Sequence, residues 1–133
     1  MAASFNHYPQ MAKVLHQVAS QAVRKTVADI QAAAQQRAPV DTGFLRSSVY
    51  TVTSAGSSYG SGAGTGPLLP EIPAAENDTT GYVAVGAEYG VYLEYGTSHG
   101  PAQPYLTPAS EEVRPSFEQA MARVQAAFDE AGG

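Results

Sequence analysis

A long run of helical periodicity near the N-terminus restricts the fold more than any other feature. Met11, Val14, Leu15, Val18, Ala22, Val27, Ile30 and Ala34 recur at helical spacing, with glutamines and charges between them. The expected helix starts near Pro9, whose missing N–H costs little in a first turn. It ends at Arg37, because Pro39 disfavours helical dihedrals at Ala38. At 1.5 Å per residue it reaches roughly 40 Å, more than one small sheet can cover. Part of its alanine-rich surface is therefore expected to pack on a neighbouring subunit.

The segment Pro39-Val40-Asp41-Thr42-Gly43 follows as a turn from helix to sheet. Proline fixes one dihedral, Asp41 or Thr42 can accept backbone N–H groups, and Gly43 tolerates a positive φ. Asp41 as a catalytic carboxylate or cation ligand is the competing reading. Ser47 to Thr53, rich in serine, threonine, valine and tyrosine, predicts a strand. From Ser54 to Gly66 nine of thirteen residues are glycine or serine, which predicts a flexible loop. Pro67 to Pro73 reads as extended chain whose Leu68, Leu69 and Ile72 gain from burial, so the loop either orders against a partner on assembly or stays disordered. No Gly-Lys-Ser/Thr follows the glycines and no helix opens behind them, so a phosphate loop is not indicated. Thr80 to Val85 alternates and predicts a second strand, antiparallel to the first across the long loop.

Between Glu88 and Tyr105 the chain crowds four tyrosines, Glu94 and several helix breakers into one short span. As a strand, Tyr89, Val91, Leu93 and Tyr95 share a face; as a helical turn, Tyr89, Tyr92, Leu93 and Gly96 do. Periodicity alone leaves both open. A buried Glu94 needs partners, and tyrosine hydroxyls or Arg46 are the candidates. Gly96 to Thr107 reads as a stiff linker held by Tyr95 and Leu106. Thr107 is the expected N-cap of a last helix, with Pro108 at its first position and Glu111 and Glu112 in its early turns. Phe117, Met121, Val124 and Phe128 form its apolar face, and Pro115 is expected to kink or split it near Arg114.

Composition narrows the function classes. A chain of 133 residues suits one compact domain over 1–133, with 54–80 as a mobile loop inside it. A charged fraction of 14% is low, which suggests surfaces covered by assembly. A net charge of −5 with seven scattered Lys plus Arg argues against gripping nucleic acid, yet suits an acidic wall past which DNA slides. Cysteine is absent, and His7, His16 and His99 are dispersed without a zinc pattern. No serine has nucleophile-elbow glycines, and no spacing of Asp41, Glu88 and Glu94 specifies a glycosidase pair. No catalytic residue, cofactor or metal is therefore expected. The N-terminus lacks a signal-peptide pattern and no window approaches a membrane span, which predicts a soluble chain made in the cytoplasm.

Two segments carry a resemblance. Pro39-Val40-Asp41-Thr42-Gly43-Phe44-Leu45-Arg46-Ser47-Ser48 and Tyr89-Gly90-Val91-Tyr92-Leu93-Glu94-Tyr95-Gly96-Thr97, the latter leading to Pro104-Tyr105-Leu106-Thr107-Pro108-Ala109, resemble the HK97 gp10-like family of tailed-phage neck and tail-completion proteins. The chain departs from that pattern at Phe44, where a polar or basic residue is common, at Gly90, where alanine is usual, and at Tyr105, where phenylalanine is usual. The resemblance implies an α+β fold: a long N-terminal helix, a small antiparallel sheet with a long Gly/Ser/Pro loop, and a C-terminal helix on the sheet. It favours a helical turn at 89–95. It further implies a virion part at the neck or top of the tail, in a homo-oligomeric, most often hexameric, ring. That ring would contact adjacent connector and tail-tube or terminator proteins, with DNA passing through unread. Asp41, Thr42, Gly43, Leu45, Leu68, Leu69, Ile72, Tyr89, Tyr92, Glu94, Gly96, Thr97, Pro104, Tyr105 and Pro108 are the residues expected to serve structure or interface. A small hydrolase and a regulatory interaction module are the alternatives.

Overall fold

The computed structural model describes the backbone of residues 2–38, 43–60, 68–98 and 100–132, and the side chains within 12–38, 44–60, 68–98 and 100–130. Its fold is α+β, as expected. In chain order the elements are α1 (Ala2–Arg37), α2 (Gly43–Ser48), β1 (Val49–Thr53), β2 (Gly56–Ser57), β3 (Tyr82–Val85), α3 (Tyr89–Tyr95) and α4 (Leu106–Gly132). The strands form an antiparallel sheet in the order β2-β1-β3. Val49 pairs with Val85 and Val52 with Tyr82, so the long excursion between β1 and β3 closes as a ladder.

Several boundaries differ from the expectations above. Helix α1 begins at Ala2, ahead of Pro9, and its 36 residues extend about 54 Å at 1.5 Å per residue. Pro9 falls in the second turn, where it leaves the Phe5 carbonyl without its i+4 donor; alanines before it favour the helix regardless. Ser47 and Ser48 belong to α2 and not to β1. Their hydroxyls donate to the carbonyls of Phe44 and Leu45, three residues back, at 3.1 and 2.7 Å, which satisfies a helical turn at the point where propensity predicts extension. The expected loop from Ser54 begins as a hairpin instead: Ser54 and Ala55 form its turn, and Gly56 and Ser57 pair with Thr53 and Val52 as β2. Asp41 and Thr42 lie outside the described residues.

Helix α4 passes through Pro115 unbroken. Pro115 and Glu111, four residues earlier, both sit on the exposed side, where water can serve the carbonyl that loses its donor. The expected split does not occur.

The core lies where the C-terminal end of α1 meets the first turns of α4, over α2 and the start of β1. Ala33, Ala34 and Ala38 of the α1 end pack with Leu45, Val49, Ala87, Tyr105, Ala109 and Val113. Alanines on both helices allow close approach, and Arg37 reaches Glu112 at 3.0 Å across the rim. Leu45 and Tyr105 are both 0% exposed.

Gly90 marks the tightest point of this core. A Cβ there would lie 2.6 Å from the Tyr105 hydroxyl oxygen, 2.7 Å from Leu45 Cδ1 and 2.8 Å from Val85 Cγ2. The Tyr105 hydroxyl donates to the Gly90 carbonyl at 3.1 Å. The Tyr105 phenol thus occupies the volume that an alanine methyl at position 90 would fill. Gly90→Ala is expected to cost about 1–3 kcal/mol through overpacking, although alanine is the better helix former. Adding Tyr105→Phe should restore part of that loss in denaturant unfolding. Strictly additive losses would contradict the coupling.

Candidate functional site

The tyrosine-rich span from α3 to the start of α4 is built around Glu94. Helix α3 is short, and its turns place Gly90 and Glu94 inward while Val91, Tyr92 and Tyr95 face out. Glu94 is 8% exposed. One carboxylate oxygen, Oε1, accepts the backbone N–H groups of Tyr105 and Leu106 at 3.0 and 2.8 Å, and Oε2 accepts that of Thr107 at 2.9 Å. These are orphan donors at the start of α4, and the next residue, Pro108, has no N–H to satisfy.

The expected Thr107 cap is therefore replaced by a carboxylate from another helix. Neither a tyrosine hydroxyl nor Arg46 pairs with Glu94, because Tyr105 turns its hydroxyl to Gly90. Helix α4 starts at Leu106, one residue before the expected cap, and has no acidic residue in its first turn; Glu94 supplies that charge. Burial alone would raise the Glu94 pKa, but hydrogen bonds from the Thr107 side chain and from the Leu106, Thr107 and Tyr105 amides outweigh it and hold the group below its ordinary 4.5. Burial, then the charges of Glu94 and Tyr89, push the Tyr105 phenol well above the ordinary tyrosine range.

The linker between α3 and α4 folds tightly against itself. Gly96 sits at φ +80°, ends α3 with its N–H on the Tyr92 carbonyl at 2.7 Å, and would bring a Cβ within 2.8 Å of Ala102 N. Thr97 and Gly100 exchange backbone bonds, and Gln103 N donates to the Leu93 carbonyl at 2.7 Å. Pro104 is exposed beside this closure. Tyr95, at 79% exposure, does not hold the linker as expected, whereas Leu106 packs on the core.

Two further contacts tie α3 down. The Tyr89 hydroxyl accepts Leu45 N–H at 3.0 Å, and its ring lies 6.2 Å from that of Phe44. The Ser48 hydroxyl, already donating to Leu45, accepts Ala87 N–H at 3.0 Å. Sequence reasoning passed over Ser48 and Gly90; only the family departures at 90 and 105 signalled the second.

Leu68, Leu69 and Ile72 dock within the chain. Leu68 bridges to Ala87, Leu69 N donates to the Gly86 carbonyl at 2.7 Å, and Ile72 N donates to the Tyr50 hydroxyl at 3.1 Å. Leu69 and Ile72 are half-buried, while Leu68 remains 50% exposed. Between this strap and α3 lies an open apolar groove of about 300 Å³, lined among others by Leu69, Pro70, Ile72, Val91 and Tyr95. Elsewhere, the Ser54 hydroxyl and His16 hydrogen-bond Asp78 and lower its pKa at an exposed junction of α1 and the β1–β2 turn.

Among the described residues no three His, Asp or Glu side chains gather as a metal site, and no helix is long and apolar enough to cross a membrane. The tyrosine span presents exposed rings on a rigid mount, which suits contact with another macromolecule and offers no paired acid and base. A family model described as "Bacteriophage HK97-gp10, putative tail-component" matches residues 1–96. The chain belongs to the HK97 gp10-like family. The matched residues run from α1 to the Gly96 end of α3, so the linker and α4 lie beyond them. Membership identifies a structural component of a phage tail, a part of the virion that works among other virion proteins. No curated protein and no solved structure matches the chain.

The Glu94 capping predicts both a stability loss and its pH dependence. Glu94→Ala strands buried amides and should lower stability by about 2–4 kcal/mol. Because the folded pKa lies below the unfolded value, the contribution is complete above about pH 4.5 and fades as pH falls through the folded pKa. Thermal melts of Glu94→Gln should therefore depend less on pH on the acid side than wild type. An unchanged Glu94→Ala melt combined with lost particle assembly would move Glu94 to an interface.

Proposed function

We propose that this tail component forms a ring, most consistent with a hexamer, at the head–tail interface, through which DNA passes without being read. The observation that carries this reading is the exposed row Val91, Tyr92 and Tyr95 on a helix fixed by Glu94; the half-exposed Leu68 adds an apolar group elsewhere on the surface. Tyrosine and apolar groups on a preorganised mount lose little entropy on docking, which is the economy an assembly surface requires. Helix α1 adds a second surface: Val14 and Val18 are exposed on its N-terminal half, beyond the residues that bury against the core. Rings arise when two different surfaces of one chain meet through a rotation that closes.

The net charge of −5 suits a lumen that repels DNA phosphate. Adjacent connector, tail-tube or terminator proteins would bind the ring faces, and the chain would act by assembly with no catalytic step. Asp41, Thr42, Gly43 and Thr97 complete the proposed framework. A hydrolase or a regulatory module would instead require converging carboxylates or a discrete host partner.

Mass spectrometry and cryo-EM of purified particles test the reading. The expected result is this chain in a ring between portal and tail tube. Its absence from intact particles that contain capsid and tail proteins would overturn it.

A further inference from the structure

Among the described residues, Arg46 holds the one buried side-chain polar atom without a hydrogen-bond partner. It follows the fully buried Leu45 on α2, and its Nε is buried without a hydrogen-bond acceptor. Among the described residues no carboxylate pairs with it; Lys13, Arg24 and Arg123 also lack one but are exposed to water, and Lys25, Arg37 and Arg114 are paired. A desolvated guanidinium N–H without an acceptor is costly, so an acceptor brought to Arg46 from outside the chain would be favoured. Arg46 borders an open pocket of about 420 Å³ whose other walls, among the described residues, are Ala32, Gln35 and Gln36 of α1. Gln35 is engaged with the Arg46 carbonyl at 3.2 Å, which fixes that wall. A carboxylate is the group whose two oxygens match the edge of a guanidinium.

The same stripe of α1 carries Val18, Gln21, Lys25, Ala28, Ala32 and Gln36 on its exposed side, with Lys25 paired to Asp29. Toward the Arg46 end the small Ala28 and Ala32 leave a shallow surface. The outer face of α3 is the complement: Val91, Tyr92 and Tyr95 are exposed, and so is Glu88, one turn before Tyr92, with no ion-pair partner among the described residues. One patch is aromatic and carries the unpaired Glu88 carboxylate, and the other runs from the Lys25–Asp29 pair past Ala28 and Ala32 to the Arg46 guanidinium. We propose that the α3 face of one copy docks on the α1–α2 stripe of a second copy, with Glu88 entering the Arg46 pocket. This deepens the ring reading and rests on it, since two different patches meeting head to tail give the heterologous contact a ring needs.

Charge reversal in the full-length chain tests it by sedimentation equilibrium and native mass spectrometry, with melting temperature measured on each variant. Wild type should self-associate, and Arg46→Glu or Glu88→Arg should each weaken association by at least about tenfold. The double variant should recover most of it. Because Glu88 is exposed, E88R reports on the contact even where R46E disturbs the fold. A wild type that stays monomeric up to about 1 mM, a range set by weak-affinity arithmetic, overturns the proposal. So do reversals without effect, or a double variant no better than the singles. These outcomes concern the contact alone, whereas absence of the chain from particles would remove the ring reading whatever the solution behaviour.

Discussion

Three backbone N–H groups converge on the carboxylate of Glu94, and the relation of α3 to α4 depends on that convergence. A helix start carries orphan donors and a partial positive charge, and both are answered here by one buried anion from a different element. Because the carboxylate comes from α3, capping α4 also sets where α3 sits. The Tyr105 phenol packed over Gly90 and the Tyr89 hydroxyl under Leu45 N–H lock the same helix from its other sides. The linker adds little sequence-distant contact of its own; it is closed by backbone bonds and by Gly96, which alone among residue types fits its φ of +80° beside Ala102.

That rigidity explains how a low-charge chain can expose tyrosines without disordering. Val91, Tyr92 and Tyr95 face outward because Gly90 and Glu94 must face inward on a helix of seven residues. The exposed surface is thus a by-product of the same residues that build the core, and its geometry is inherited from them. Membership in a family of phage tail components gives such a surface a purpose, since virion parts spend their working life against other virion parts.

Much of the architecture was legible where a single physical rule governs. The helix α1, the strand β3 and the helix α4 expected from their patterns each appear in the structure, as does the helical turn at 89–95 that the family resemblance favoured, although burial along β3 does not alternate. The Asp41 and Thr42 turn lies outside the described residues. What escaped reading depends on partners distant in sequence. Thr107 has the composition of an N-cap, but a capping residue cannot be known to be outcompeted until α3 brings a carboxylate to the same amides. Ser47 and Ser48 have strand propensity, yet their hydroxyls serve carbonyls three residues back and, for Ser48, the amide of Ala87. Gly56 and Ser57 look like linker, and pairing with Val52 and Thr53 makes them a strand. Arg46 and Glu94 were matched as opposite charges, whereas the fold gives Glu94 to backbone donors and leaves the guanidinium Nε without an acceptor.

Hydrogen exchange of the amides of Tyr105, Leu106 and Thr107, followed residue by residue by NMR, tests the central claim most directly. If Glu94 caps α4 as described, these three amides exchange only through global unfolding at neutral pH, unlike the open first turn of an ordinary helix. Their protection then falls together as acid protonates Glu94. Rapid, independent exchange of the three at neutral pH would mean that the carboxylate does not hold the start of α4, and the account of the α3–α4 mount would fail with it.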